Sequence, residues 1–469
     1  MIRRNILFAS AMFCSMAALA DTEMSVYQGS DVSVRINNPD AKMKFSGNKF
    51  TYGDNEFETS KVDSIILKHY VSVVFDGDKV SVSNPFDSVD VKIDGASVEI
   101  NSEFVGREIK YKFSGKSTNG NVIFSSKYKS EFELDGLDLT STGVNPPIYV
   151  LTKKNTEVRL VGSNSLKNSG KDTVGATMRG RGQFEFKGNG SLDITSVVGH
   201  GIQSSDYVEV KNGKISINAA SDGIHVNDYY LQSGGEVNVT CSSDGVDVGE
   251  GYAEINGGSL TVKSDAIEAR GIRCALDTVK KNSADIIING GNVDVQLSGD
   301  GARGLKADGA VKIDGGDVLI VLAGKAYDDG VEYNYTCGIK ADKTITVESG
   351  NVVVICQSTA ASSRCAQADL SLDFNGGVTT LYQNSVKRVI GETKAKKANV
   401  VKSDGPLRVK KAGNLYVYAD ASEIKPYNVS AVVVGDHECD FDYSSRDYDV
   451  DEYIMAIPSN WDAYEKYVK

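Results

Sequence analysis

The sequence predicts an all-β solenoid, and three observations carry that prediction. One unit restarts several times between Ser191 and Val378, most clearly as KISINAASDGIHVNDYYLQSGG, EVNVTCSSDGVDVGEGYAEINGG and SLTVKSDAIEARG. Each unit opens on a short alternating run (Ile215 and Ile217, Val237 and Val239, Leu260 and Val262), the period of a strand and not of a helix. Each then turns through Asp-Gly-Ile or a close variant, at Asp222, Asp244 and Asp265, which lie 22 and 21 residues apart. Self-similarity at a period of roughly 20 to 25 residues marks a solenoid. One coil cannot bury its inward residues alone, so coils stack about 4.8 Å apart and like positions form ladders.

The elements follow in order. Residues 1–20 read as a signal peptide: Arg3 and Arg4 form the basic start, Ile6 to Ala18 is mostly apolar, and Ala18-Leu19-Ala20 is the cleavage pattern. Residues 21–70 form a small β lead-in, with strand signals such as MSVYQ and VSVRI. Residues 71–391 form the solenoid, entered through VSVVFDGDKVSVSN and VDVKIDGASVEI, which alternate with period two and turn at Asp-Gly. Two coils are lengthened, between Arg270 and Asp285 and between Lys325 and Thr336, and such insertions fall on one face of a solenoid, often the binding face. The insert near Cys274 has room for a short helix. Residues 392–469 make a C-terminal extension: a basic loop, the strands NLYVYAD and VSAVVVGD, and an acidic, Tyr-rich tail holding Trp461, read as a cap on the open end.

Composition narrows the partners. The leader holds two of the 51 basic residues and no acid, leaving 49 against 63 acidic side chains, a net charge of -14. Nucleic acid and anionic membranes are not expected partners, and the chain is expected to be a monomer, secreted or on the surface of a bacterial cell. Export permits disulfides. Cys337 and Cys365 precede Gly-Ile-Lys-Ala-Asp and Ala-Gln-Ala-Asp, and if those coils are neighbours the rung spacing suits a bridge between them.

The units GHGIQSSD, SDGIHVND, SDGVDVGE and SDAIEARG, the Asn-Gly-Gly corners, and the coils FELDGLDLTS and EVRLVGSNSL together resemble the secreted carbohydrate-binding domain-containing family over about Val71 to Tyr382. The resemblance implies a right-handed parallel β-helix of pectate-lyase-like shape, stabilised by calcium and binding plant polysaccharide such as pectin-type polygalacturonate or cellulose. Ala266 stands where that pattern has Gly, and Arg303 and Cys337 where it has Asp.

Register supplies the candidate site. Counting from the inward Ile or Val of each corner gives one column of His200, Asp222, Asp244, Asp265 and Arg303, and a second of Gln203, His225, Asp247, Glu268, Lys306 and Lys340. Asp222, Asp244, Asp247, Asp265 and Glu268 then crowd one corner. Carboxylates a rung apart repel unless a cation intervenes, and an all-oxygen shell suits Ca2+. Ordinary Asp-Gly corner chemistry accounts for Asp222, Asp244 and Asp265 singly but not for the other two. Tyr207, Tyr229 and Tyr252 also stack in register and face outward, either as a platform for sugar rings or as a self-packed ladder. His225, Lys306 and Lys340 complete the expected carbohydrate-binding set. No catalytic residue stands out. A non-catalytic polysaccharide binder is the first reading, with a calcium-assisted polysaccharide lyase or a structural surface protein as alternatives.

Overall fold

The computed structural model describes residues 23–466 except 29–30, 38–42, 53, 63, 69, 171–174, 278, 280–281, 358–362, 384–398, 411–412, 420–424, 436, 440–453, 456–462 and 465. The signal peptide expected over residues 1–20 and Trp461 lie outside the described residues. Strands stack as a parallel β-helix, as the repeat predicts. A typical coil contributes Ile224–Val226 to one sheet, then Tyr229–Gln232 and Glu236–Cys241 to a second. Each pairs in parallel with its counterpart one coil on: Val246–Val248, Tyr252–Ile255 and Ser259–Ser264.

The physical basis is a set of apolar ladders inside the coil. One column runs Ile202, Ile224, Val246, Ile272, Leu305, Ile339 and Ala366, each no more than 2% exposed. Burying each large aliphatic side chain is worth about 1.5–3 kcal/mol. Corners between the two second-sheet strands need a left-handed residue, and Gly258, at φ 76°, provides one where a Cβ would meet Gly235 O at 2.4 Å.

Antiparallel strands close the start of the stack and, at its finish, the second sheet, sparing those edges of the parallel sheets. At the start Val71–Asp76 pairs with Lys79–Ser83, and Val89–Asp94 with Ser97–Ser102. At the finish Val432–Val434 pairs with His437–Cys439. The lead-in is a separate pair of small sheets: Glu23–Gln28 lies between Asp31–Asn37 and Ser64–Lys68, and Met43–Ser46, Lys49–Tyr52 and Asn55–Glu58 form a meander.

Three expectations are corrected. The β-helix does not stop at residue 391: Asn399–Ser403, Leu407–Val409 and Gly413–Ala419 pair in parallel with Arg364–Ala368, Ser371–Phe374 and Gly377–Gln383, and Ile454–Met455 adds a further rung. The basic stretch that signalled a boundary includes Asn399–Ser403 and Leu407–Val409, which are strands of the next coil. Cys337 and Cys365 are not bridged, because Cys337 lies opposite Arg364, so Cys365 takes the position opposite Gly338 and both thiols are free and buried. The insert near Cys274 has no helix among its described residues.

Candidate functional site

The outer face of the first sheet is a charged floor. In one column, successive rungs present Gln203, His225, Asp247, Arg273, Lys306, Lys340 and Gln367. Beside it, Arg270, Arg303, Cys337 and Arg364 share a second column, continued upstream by Asp244, Asp222 and His200. The chain folds this way because of the glycine between the second column and the inward aliphatic residue. A Cβ on Gly201, Gly223, Gly245, Gly271, Gly304 or Gly338 would meet an inward Ile or Val side chain at 2.2–2.4 Å. Glycine therefore fixes the register of these six rungs, and Thr177 and Cys365 take the same position in the rungs before and after them.

That constraint corrects the site. Gly271, not Ala266, follows Gly245, so Val246 pairs with Ile272 and Asp247 with Arg273. Asp265 and Ile267 are exposed in the loop before the strand, and Glu268 sits there in a left-handed conformation at φ 58°. Asp265 and Glu268 do not join Asp222, Asp244 and Asp247. Arg270 and Arg273 occupy their places. The signal was available in the sequence as Arg-Gly-Ile-Arg, which keeps the glycine that Asp-Ala-Ile-Glu lacks.

The floor is consequently divided by charge. At its acidic end Asp222, Asp244 and Asp247 are each no more than 6% exposed. His225 Nδ1 lies 3.3 Å from Asp222 Oδ2 and 3.0 Å from Asp247 Oδ2, and His200 Nδ1 lies 3.0 Å from Asp222 Oδ2. Burial pushes the Asp222 carboxyl up, but the two imidazoles hold it well below the usual range. Asp222 and Asp247 together push His225 up to about 9. Asp244, by contrast, is pushed up to about 7 by burial, against the pull of Arg270.

The basic end holds Arg270, Arg273, Arg303, Lys306, Lys340 and Arg364. Arg273 pairs with Asp247 at 2.6 Å, and Lys306 with Asp308 at 2.6 Å and Asp342 at 2.9 Å. Arg303 and Arg364 flank the Tyr335 ring at 5.9 and 4.1 Å, with no carboxylate in ion-pair range among the described residues. Burial, with Lys306 and Arg303 nearby, draws the Lys340 amine below the usual lysine range.

Loops wall the floor at both ends of its strands. Before the strands stand residues 265–269, residues 299–302 and the hairpin Tyr327–Asp328/Tyr333–Asn334. Asn334 accepts from Arg303 at 3.0 Å and donates to Glu268, tying wall to floor. After the strands stands the loop from Leu276, whose N–H donates to Asp308 at 3.0 Å. Ile267, Val279 and Val331 expose apolar tips along these walls.

The residues do not fit calcium. A calcium shell takes six to eight oxygens, whereas two of the five expected carboxylates lie elsewhere, and Asp244 and Asp247 are already neutralised by Arg270 and Arg273. The remaining donors around Asp222 are imidazole nitrogens.

The tyrosines stand apart from this floor, on the turn into the second sheet. Tyr207 and Tyr229 stack with centroids 4.4 Å apart, and Tyr229 and Tyr252 at 5.4 Å, all within 15° of parallel. Tyr229 is covered on both faces and Tyr207 and Tyr252 on one face each, and Tyr207 donates its hydroxyl to Glu185 at 2.6 Å. The self-packed alternative describes this ladder.

Comparison with known proteins follows the same lines. A carbohydrate-binding domain-containing protein of Acetivibrio thermocellus is 27% identical over 166 residues, 31% of this chain and 52% of that protein, so the match spans about half of the relative's length. The solved structure of a polysaccharide lyase-like protein from C. thermocellum, a gadolinium derivative, superposes with a TM-score of 0.42 at 24% identity, over 53% of this chain and 96% of that one. Residues 94–385, more than half of the sequence, match the family described as carbohydrate-binding domain-containing protein, and the chain belongs to that family.

Proposed function

We propose that the chain is an exported, non-catalytic module that binds an acidic polysaccharide of the polyuronate class along the charged floor. The carrying observation is the run of six cations on consecutive rungs of a protein whose formal net charge is -12. Burying cations is costly unless anions compensate. Four carboxylates (Asp244, Asp247, Asp308 and Asp342) lie within ion-pair range, which leaves Arg303 and Arg364 for an anionic ligand. A neutral glucan such as cellulose would place no anion beside them. Rungs about 4.8 Å apart place Arg273, Lys306 and Lys340 at successive steps along a long polymer. Arg303 and Arg364 carry the contact together with Lys340, whose carboxylate neighbour Asp342 stands off at 3.9 Å; Lys306 is held by Asp308 and Asp342, and His225 marks where the floor turns acidic.

The test is calorimetric titration with polygalacturonate and pull-down on cellulose. Binding to polygalacturonate that weakens with salt and falls in Arg303→Gln with Lys306→Gln supports the reading. Equal binding by that variant, or binding to cellulose alone, overturns it. A β-eliminating lyase is the second reading, favoured by Lys340: an amine held below its ordinary pKa is suited to take a proton beside a neutralised carboxyl group. Unsaturated product absorbing in the ultraviolet, lost in Lys340→Gln, would select it.

A further inference from the structure

We infer that His200, Asp222 and His225 form a binding site for a divalent transition metal of the zinc class at the acidic end of the floor. This inference stands apart from the polysaccharide reading. The three side chains come from two neighbouring coils, and one donor atom from each lies within 4.8 Å of the others. Both imidazole Nδ1 atoms converge on the same oxygen, Asp222 Oδ2, at 3.0 and 3.3 Å. Zinc bonds of about 2.0–2.1 Å in tetrahedral array set their donors roughly 3.3 Å apart, so these spacings are those of ligands around one such ion.

Two further observations point the same way. His200 Nδ1 is buried and lies 3.0 Å from Asp222 Oδ2 without the alignment of a hydrogen bond, so the two atoms face each other as ligands of one ion would. Asp222 is held by its other oxygen: Oδ1 accepts the Asp244 N–H at 3.0 Å, leaving Oδ2 turned toward both rings. The rings lie 4.6 Å apart and 22° from parallel, and a shared ion asks each to turn about its Cβ–Cγ bond until its lone pair faces the gap. With two nitrogen donors the site favours zinc, nickel or copper over calcium or magnesium. Three protein donors leave one coordination position toward the groove, filled by water or a ligand oxygen. Asp247 borders the shell: its Oδ1 is taken by Arg273 at 2.6 Å, and its Oδ2 lies 3.0 Å from His225 Nδ1.

The experiment uses the full chain after chelator treatment, titrated separately with zinc, cobalt(II) and calcium. Calorimetry gives stoichiometry, thermal melting gives stabilisation, and visible absorption reports cobalt(II) geometry. The expected result is one zinc per chain, a rise in Tm, and a cobalt(II) spectrum of nitrogen–oxygen ligation that zinc displaces. His200→Gln with His225→Gln is expected to weaken zinc at least about 100-fold. His200→Gln alone keeps the Asp222–His225 contact and serves if the double variant does not fold. Zinc binding unchanged in these variants overturns the site, as does a melting response to calcium and none to zinc. Loss of zinc with polygalacturonate binding intact, or the reverse, separates this site from the polysaccharide reading.

Discussion

The backbone N–H of Arg270 donates to Asp244 Oδ1 at 2.7 Å, while its guanidinium lies 3.6 Å from Asp244 Oδ2. This contact joins the acidic and basic halves of the floor across one rung. It also explains how an aspartate only 4% exposed is tolerated there. Removing one partner of a buried pair leaves an uncompensated charge. Arg270→Gln should therefore cost a few kcal/mol, bounded by the roughly 3–5 kcal/mol of fully buried pairs because the arginine is partly exposed. Urea unfolding measures it. A variant as stable as the parent would mean that Asp244 draws its compensation from elsewhere.

The glycine beneath Gly245 is the second test. A Cβ on Gly271 would stand 2.4 Å from Val295 Cγ1 and 2.5 Å from Gly304 O, and the latter is backbone that cannot turn aside. Gly271→Ala should destabilise by about 1–3 kcal/mol, the cost of overpacking a filled core. Ala266→Gly, in the loop, should change stability by less than about 1 kcal/mol. The reverse pattern in chemical denaturation would restore Asp265-Ala266-Ile267 to the corner.

These two positions also measure how far the fold and site were legible. The period, the inward ladders and the stacking of the tyrosines follow from apolar alternation, which many residues vote for together. The register of a single rung does not, because loops of free length precede each floor strand. Asp265-Ala266-Ile267 imitates the corner in side-chain chemistry, yet Ile267 is 57% exposed. Close approach of backbone to an inward aliphatic side chain, not the acidic residue, selects the true rung, and from Gly201 to Gly338 each rung meets it with glycine. The Cys337–Cys365 pairing failed by the same kind of slip: one residue of register reverses which way a strand side chain points. The end of the helix was misplaced because composition turns basic after Glu392 while strand pairing continues from Asn399.

The described thiols supply a third prediction. Cys337 Sγ contacts Ile339 O at 3.3 Å, and Cys365 Sγ contacts Tyr382 O at 3.3 Å. Burial pushes the Cys337 thiol up to about 12, which suppresses the thiolate that exchange requires. Alkylation of the unfolded chain without reductant should label both cysteines. A linked peptide containing the two would sink the register that separates them.

Glu131 carries the pH dependence. Burial raises its carboxyl, but Lys110 at 3.0 Å, Arg159 at 3.1 Å and Lys187 at 3.3 Å outweigh burial and bring it down to about 2 from an ordinary 4.5. A folded pKa below the unfolded one means that the unfolded chain binds the proton first on acidification. The stabilisation is thus complete above about pH 4.5 and is lost as pH falls toward 2. Glu131→Gln should remove part of the acid sensitivity between pH 5 and 2.5 while lowering stability at pH 7. Parallel stability profiles for parent and variant would show that the three cations find other partners.

The tyrosine ladder separates stiffness from binding. Tyr229 is stacked on both faces, by Tyr207 and Tyr252, so Tyr229→Ala removes two ring contacts at once. Such pairs contribute about 0.5–1.5 kcal/mol each beyond burial, so the loss should be roughly 1–3 kcal/mol, seen as a lower Tm. A sugar ring needs an open aromatic face, and the central ring has none to offer. Affinity for polygalacturonate should stay within about twofold, a change of less than 0.5 kcal/mol. Lys340→Gln should do the opposite, weakening the polymer roughly 10- to 150-fold because a charge-assisted hydrogen bond contributes about 1.5–3 kcal/mol, with little change in Tm. If the tyrosine variant loses the polymer and the lysine variant keeps it, the ligand runs along the turn and the charged floor is only structural.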